Sequence, residues 1–202
     1  MKPPNYNPIA GIYDYLARFI FGESLKKAKH CHIIEMLTCK QILIVGGGSG
    51  SELLELEREG FTGKITFVEP SDMIEKAKSR NLKIDVEFVK KNWPFGETKK
   101  YDGVITPFFL DQFSGNELQR IMETLVNSLA RDGLWLNTDF IPPETRFQKV
   151  LLNIMYRFFR VVAGLKNNKL ENFDVVFEKA GFFLVSEVIY NQWVKSTVWK
   201  RV

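Results

Sequence analysis

Three glycines at alternate positions follow a short apolar run in the first quarter of the chain. Residues 41–45 read QILIV and lead directly into GGGSG, which contains Gly46, Gly48 and Gly50. Because glycine has no Cβ, the backbone N–H groups of such a turn can approach a bound ligand closely. The pattern predicts a strand, a nucleotide-binding turn and the start of a helix.

Polar residues occur where the next two predicted strands end. Glu69 closes the run KITFVE, and a carboxylate at the tip of a parallel strand can accept hydrogen bonds from both hydroxyls of a ribose. Asn92 follows the third strand, and its amide can both accept and donate a hydrogen bond. The G-x-G-x-x-G spacing of dinucleotide-binding turns fails, because Ser51 occupies the third glycine position.

Strand and helix signals alternate along most of the chain, which predicts an α/β protein with a parallel sheet. Five strands are expected before residue 141. Two more strands follow, FFLVSEVIY and WVKSTVWKRV, and only Asn191 and Gln192 separate them. Strands joined by so tight a turn must be antiparallel. The sequence therefore predicts five parallel strands and a C-terminal antiparallel hairpin.

The bulk composition is that of an ordinary globular domain. The chain has 202 residues, 45% of them hydrophobic and 26% charged, with a net charge of +4. This charge is too small to indicate nucleic acid as a partner, and no basic cluster is present. No apolar run reaches the roughly 18–20 residues of a membrane-spanning helix, and Cys31 and Cys39 fit a reducing compartment. We expect one cytoplasmic domain, residues 1–202, without a transmembrane segment.

The turn and the residues around it resemble a known family. The frame G-x-G-x-G, the acid at Glu69 and the following PSDMIEKAK are similar to the class I S-adenosylmethionine (SAM)-dependent methyltransferases. The leader YNPIAGIYDY resembles that of the ubiquinone/menaquinone biosynthesis methyltransferases, and Tyr6, Ala10, Tyr13 and Asp14 carry the likeness. The resemblance runs through the whole chain, most strongly over residues 6–22 and 41–111 and most weakly from 140 to 170.

The resemblance implies a Rossmann-like class I methyltransferase fold, with a mostly parallel seven-stranded sheet and helices on both faces. It implies SAM as the cofactor and a small, apolar methyl acceptor. The predicted cofactor contacts are Gly46, Gly47, Gly48, Gly50, Glu69, Pro70, Met73, Asn92, Trp93, Pro107, Phe108 and Tyr13. The predicted acceptor contacts are Tyr6, Phe109, Arg157 and Arg160, and the candidate bases or orienting groups are Asp111, Asp139 and Tyr13.

Several of these residues have a structural alternative. Trp93, Phe108 and Phe109 are equally compatible with core packing, and Asp111 with a helix N-cap. His30 and His32 are not expected to hold a metal ion, because residues two apart on a helix diverge by about 200°. No metal site is predicted.

Two segments are expected to lie outside the sheet. Residues 1–39 would form an N-terminal helical cap with helices over 9–22 and 24–37, and residues 142–168 a helical lid. The very apolar stretch 147–165 has four interpretations: ordinary core packing, a wall of the acceptor pocket, a homodimer interface or a membrane-surface helix.

Ile44 is the one departure inside the glycine motif, because the family commonly has an acid there that organises the methionine end of the cofactor. This motivates an alternative hypothesis, a SAM-binding protein without turnover that acts as a sensor or partner subunit. An RNA methyltransferase and an NAD-dependent oxidoreductase are further alternatives.

Overall fold

Seven strands form one sheet in the computed structural model, which describes residues 24–96, 99–143, 145–146, 150 and 170–201. The strands are β1 (Gln41–Val45), β2 (Lys64–Val68), β3 (Asp85–Val89), β4 (Tyr101–Pro107), β5 (Leu129–Phe140), β6 (Phe182–Tyr190) and β7 (Val194–Arg201). Their order across the sheet is β3-β2-β1-β4-β5-β7-β6. Strands β1 to β5 pair in parallel, and β7 pairs antiparallel with both β5 and β6.

The C-terminal hairpin has the tight turn that the sequence predicts. Asn191 and Gln192 have φ angles of 49° and 58°, and Trp193 N donates to Tyr190 O at 3.0 Å. Positive φ at both central residues is the geometry of a type I′ turn, whose twist matches that of the paired strands. The predicted sheet of parallel strands closed by an antiparallel hairpin is confirmed.

The described residues contain five α-helices and two 3₁₀ turns beside the strands. They are α1 (Ser24–His30), a first 3₁₀ turn (Ile34–Thr38), α2 (Ser51–Arg58), α3 (Met73–Lys78), a second 3₁₀ turn (Leu110–Gln112), α4 (Gly115–Ser128) and α5 (Phe173–Lys179). The prediction of one helix over 24–37 is wrong, because α1 ends at His30. His32 lies beyond that end and hydrogen-bonds to Ser186 and Ser196 of the hairpin.

The helices pack on both faces of the sheet, as the fold prediction requires. One core joins α4 and α5 to the sheet around Trp135 and Trp199, where the Phe177 ring stacks on Trp199 with centroids 4.8 Å apart. The second core joins α2 and α3 to the other face around Ile42 and Ile44. Apolar strands buried on both faces are typical of a central parallel sheet.

The strand order reverses direction between β1 and β4. From β1 the sheet proceeds to β2 and β3 on one side and to β4 and β5 on the other. In open α/β sheets ligands bind in the crevice at this switch point, beyond the carboxyl ends of the strands. The glycine turn after β1 and the residues after β4 both border this crevice.

Some predicted features fall outside the described residues. These are Tyr6, Tyr13, Arg157 and Arg160, the helix over 9–22, and the 147–165 stretch apart from Val150. Within the described part of the chain, no helix combines the length and apolar character needed to cross a membrane.

Candidate functional site

The glycine turn has the backbone conformation that its sequence requires. Gly46, Gly48 and Gly50 have φ angles of 74°, 55° and 74°, a region that L-residues with a side chain rarely adopt. Gly47 is constrained by packing, since a Cβ there would overlap the Phe67 ring. The turn is held to the neighbouring strand by Gly46 N, which donates to Val68 O at 2.9 Å.

Glu69 lies across from the glycine turn at the end of β2, and only 6% of it is exposed. Its Oε2 accepts from Gly48 N at 2.9 Å. Its Oε1 accepts from Ser71 N at 2.9 Å and from Ser71 Oγ at 2.6 Å. These bonds fix the carboxylate at the mouth of the turn. The sequence predicts that this carboxylate accepts hydrogen bonds from ribose hydroxyls.

The other residues predicted near a nucleoside base differ in exposure. Met73 is buried, and its Cε would lie 3.3 Å from a Cβ at Gly48, so it borders the glycine turn. Pro70 and Asn92 are exposed. Trp93 is buried in the core, where its Nε1 donates to Thr124 Oγ1 at 2.9 Å. Its assignment to a ligand stays a prediction.

The segment after β4 turns sharply towards β5. Pro107 is buried, and Phe108 follows with a φ of 52°. Phe108 N donates to Thr138 O at 2.7 Å, and its ring lies 5.1 Å from that of Phe140. Phe109 is buried, with its Cδ2 only 2.8 Å from where a Cβ on Gly46 would lie. The segment therefore packs directly against the glycine turn.

The structure adds two charged residues that the sequence reasoning missed. Lys29 Nζ lies 3.0 Å from Glu52 Oε1 and 5.7 Å from the centroid of the Phe108 ring. Glu52, in the first turn of α2, is fully buried. Apart from this ion pair, neither Glu52 oxygen has a hydrogen-bond partner among the described residues. Lys29 thus bridges α2 and the segment after β4, across the switch point.

Asp111 and Asp139 form a buried carboxyl pair beside the same segment. Asp111 lies in the second 3₁₀ turn and Asp139 near the end of β5, and they are 8% and 2% exposed. The two carboxyl groups are close enough for each to influence the pKa of the other. Asp111 is not the N-cap of α4, which is Ser114. The geometry therefore favours a site group over a capping residue.

Burial governs the ionisation of this pair. Burial raises the pKa of Asp111 to about 7, and the interaction with Asp139 offsets part of this rise. The pKa of Asp139 is also raised well above its usual range, first by burial and then by the charge of Asp111. Ionisation of either buried carboxyl group disfavours ionisation of the other, so the pair retains a proton to higher pH than isolated aspartates do.

Asp139 lines a cavity of about 340 Å³ beyond the ends of β5 and β7. Apolar walls come from Phe140, Phe173 and the segment 141–143, and polar groups include Asn137, Thr197, Asp174 and Lys195. Lys195 Nζ pairs with Asp174 Oδ2 at 2.7 Å. The cavity is therefore amphipathic, with Asp139 among its polar groups.

Ile44 is fully buried beneath the glycine turn. Its Cγ2 would lie 3.1 Å from a Cβ at Gly47, and it belongs to the apolar core that also contains Phe67. The side chain thus supports the turn by packing.

His30 and His32 bind different partners. His30 Nδ1 lies 3.3 Å from Glu55 Oε2, whereas His32 is held by two serines of the hairpin. No group of three or more His, Cys, Asp or Glu side chains in the described ranges could hold a metal ion.

Comparison with known proteins identifies the fold. No family model matches the sequence, and no curated protein matches it significantly. Among solved structures, mitomycin 7-O-methyltransferase superposes with a TM-score of 0.71 at 16% identity, over 98% of this chain and 61% of that one. This chain therefore spans about three fifths of the length of that enzyme.

Two further structures match over nearly their whole length. A Haloferax volcanii protein solved in complex with the Trm112 methyltransferase activator has a TM-score of 0.69 at 12% identity, covering 99% of both chains. The plantazolicin methyltransferase in complex with SAH has a TM-score of 0.65 at 10% identity, covering 98% of this chain and 93% of that one. The chain has the Rossmann-like class I methyltransferase fold.

Proposed function

We propose that this protein is a SAM-dependent methyltransferase that acts on a small acceptor. The observation that carries the proposal is the glycine turn at the switch point, with three positive-φ glycines and the Glu69 carboxylate fixed opposite Gly48. The fold supports it, because solved methyltransferases share the topology, one of them with SAH bound. The leader likeness to the ubiquinone/menaquinone group and a cytoplasmic location are part of the proposal.

The residues around the turn fit the nucleoside half of SAM. Glu69 Oε2 accepts only from Gly48 N, so it retains acceptor capacity that suits a ribose hydroxyl, whereas Oε1 already accepts two bonds from Ser71. Met73 borders the turn and offers an apolar surface to the adenine, and exposed Asn92 offers an amide. When bound, SAM supplies an electrophilic methyl group on a sulfonium, so the protein itself needs no nucleophile.

The methionine half of SAM is a zwitterion, and Lys29 with Glu52 has the complementary charges. Glu52 is fully buried, and the ion pair to Lys29 is its one polar contact among the described residues. A buried carboxylate is costly unless its charge is well compensated. We assign the methionine carboxylate to Lys29 and the methionine ammonium to Glu52. Lys29 also lies over Phe108, a predicted cofactor contact.

The second candidate is a SAM-binding protein without turnover. Ile44 motivates this candidate, because the family commonly has an acid at that position and Ile44 is a fully buried apolar side chain. Both candidates bind SAM, and they differ only in whether a methyl group is transferred.

Isothermal titration with SAM, SAH, NAD and adenosine tests the proposal. We expect binding of SAM and SAH, and no preference for NAD. Lys29→Met should weaken SAM and SAH about tenfold or more, about 1.4 kcal/mol, without weakening adenosine, which lacks the methionine half. Glu69→Gln should weaken all three, and Glu87→Gln, an exposed strand residue paired with Lys99, should weaken none.

Two outcomes would contradict the proposal. The absence of heat with both SAM and SAH would exclude either candidate, and tighter binding of NAD would indicate an oxidoreductase. An equal loss of adenosine and SAM affinity in Lys29→Met would remove the assignment of the methionine half while leaving cofactor binding intact.

A further inference from the structure

The carboxyl pair and its cavity carry an inference about the acceptor. Asp139 is only 2% exposed and lines the cavity of about 340 Å³. Its Oδ1 has no hydrogen-bond partner among the described residues. A buried carboxylate oxygen without a hydrogen-bond partner is costly unless a donor reaches it, and here the residue that carries it lines a cavity. The size of the cavity is at the lower end of small-molecule sites, about 300–1,000 Å³.

The other oxygen of the Asp139 carboxyl group, Oδ2, accepts a hydrogen bond. The Asn137 side chain, with its amide nitrogen turned towards Asp139, donates to Oδ2 at 3.1 Å. The backbone N–H groups of Leu110 and Asp111 also act on this carboxylate. These bonds hold the orientation of the group and leave Oδ1 without a donor among the described residues.

We propose that this cavity binds a methyl acceptor with a hydroxyl nucleophile, whose proton is taken by Asp139 while Asp111 positions that carboxylate. The inference rests on the proposed function. In the step, the hydroxyl oxygen forms a bond to the methyl carbon as the carbon–sulfur bond breaks, and the electron pair of that bond stays on the now neutral sulfur. The hydroxyl proton passes to Oδ1 of Asp139 and leaves to water with product release.

The charge of the pair selects a hydroxyl over an amine. A proton retained by the pair leaves one negative charge on two buried carboxyl groups, beside Lys195, which Asp174 and Glu187 already neutralise. An aliphatic amine would bind there as ammonium, because the negative charge raises its pKa, and an ammonium has no lone pair to attack with. A neutral hydroxyl can donate to the carboxylate and lose its proton as the new bond forms.

Methyl transfer from tritiated SAM tests the inference, with a panel of alcohols and the aliphatic amine counterpart of each, such as 2-phenylethanol and 2-phenylethylamine. We expect transfer to hydroxyl compounds at least tenfold faster than to their amines. Asp139→Asn should lower transfer about 10²-fold or more, the typical contribution of a general base, with SAM binding within threefold of wild type. Asp132→Asn, exposed on the same strand, is the matched control and should transfer normally.

The Asp111→Asn variant distinguishes a positioning role of Asp111 from a purely structural one. Without the neighbouring carboxyl group Asp139 ionises more easily, so the rise of transfer rate with pH should move to lower pH. An unchanged profile would exclude the positioning assignment. Preference for amines, full transfer by Asp139→Asn, or no transfer to any hydroxyl compound while SAM still binds would each overturn the inference. Failure of the wild-type protein to bind SAM would instead refute the proposed function.

Discussion

The buried Asp111 carboxyl group destabilises the folded protein when it ionises, and its removal should reveal this effect. Burial raises its pKa from 3.8 to about 7. A group whose pKa is higher in the folded state contributes stability that is present below its unfolded pKa and lost as pH rises through the folded pKa. A rise of this size corresponds to about 4 kcal/mol in total, of which roughly 2.5 kcal/mol falls between pH 5 and pH 8.

Asp111→Asn should therefore gain stability relative to wild type as the pH rises. The variant has no proton to lose at this position, so its advantage in the free energy of unfolding should grow by up to roughly 2.5 kcal/mol from pH 5 to pH 8. For a chain of 202 residues this is a relative rise in Tm of roughly 5–10 °C.

Urea unfolding followed by circular dichroism at both pH values measures this difference. Asp132→Asn controls for the change in net charge and should show no comparable pH dependence. If the Asp111 carboxylate instead stabilised the fold, the difference in free energy of unfolding would have the opposite sign. The variant would then lose the most stability at pH 8. A difference between Asp111→Asn and wild type that is constant or falls with pH would refute the account of a proton retained by a buried pair.

Two further substitutions test the turn and the hairpin contact. Gly48→Ala places a Cβ at a φ of 55°. It should lower the free energy of unfolding by about 1–2 kcal/mol and abolish SAM binding in titration. The control Gly60→Ala, at a φ of 83° with open space around the Cβ, should lower the free energy of unfolding by a similar amount and leave SAM binding intact. Burial lowers the pKa of His32, so its contribution to stability is lost as pH falls below about 6.5. His32→Gln should reduce the fall in Tm between pH 7.5 and pH 5, and an unchanged fall would exclude this histidine as its source.

The sheet could be predicted because its signals are local. Continuous apolar runs mark the buried strands, and a glycine turn followed by a helix marks the first crossover. The two-residue gap at Asn191 and Gln192 requires the last two strands to be antiparallel. The end of α1 at His30 could not be predicted, since it depends on His32 reaching Ser186 and Ser196, more than 150 residues away.

The candidate site, like the fold, could be predicted only in part from the sequence. Asp111 and Asp139 could each be selected from the sequence because each follows or ends an apolar strand. Their contact depends on the pairing of β4 with β5, where Pro107 lies opposite Thr138, and on the sharp turn at Phe108. No single-strand pattern contains that register, so the proximity of the two carboxyl groups is evident only in the folded chain.

Ile44 and Glu52 show how a departure from a family pattern can be misread one residue at a time. The sequence suggests that a functional acid is missing at position 44. In the structure Ile44 fills an apolar space beneath Gly47 and beside Phe67, where a carboxylate would be buried among hydrocarbon. A fully buried acid is present instead at Glu52, one turn beyond the glycines and paired with Lys29. Under the proposed assignment of the methionine ammonium to Glu52, the acid lies on the helix instead of the strand, and Ile44 does not by itself exclude catalysis.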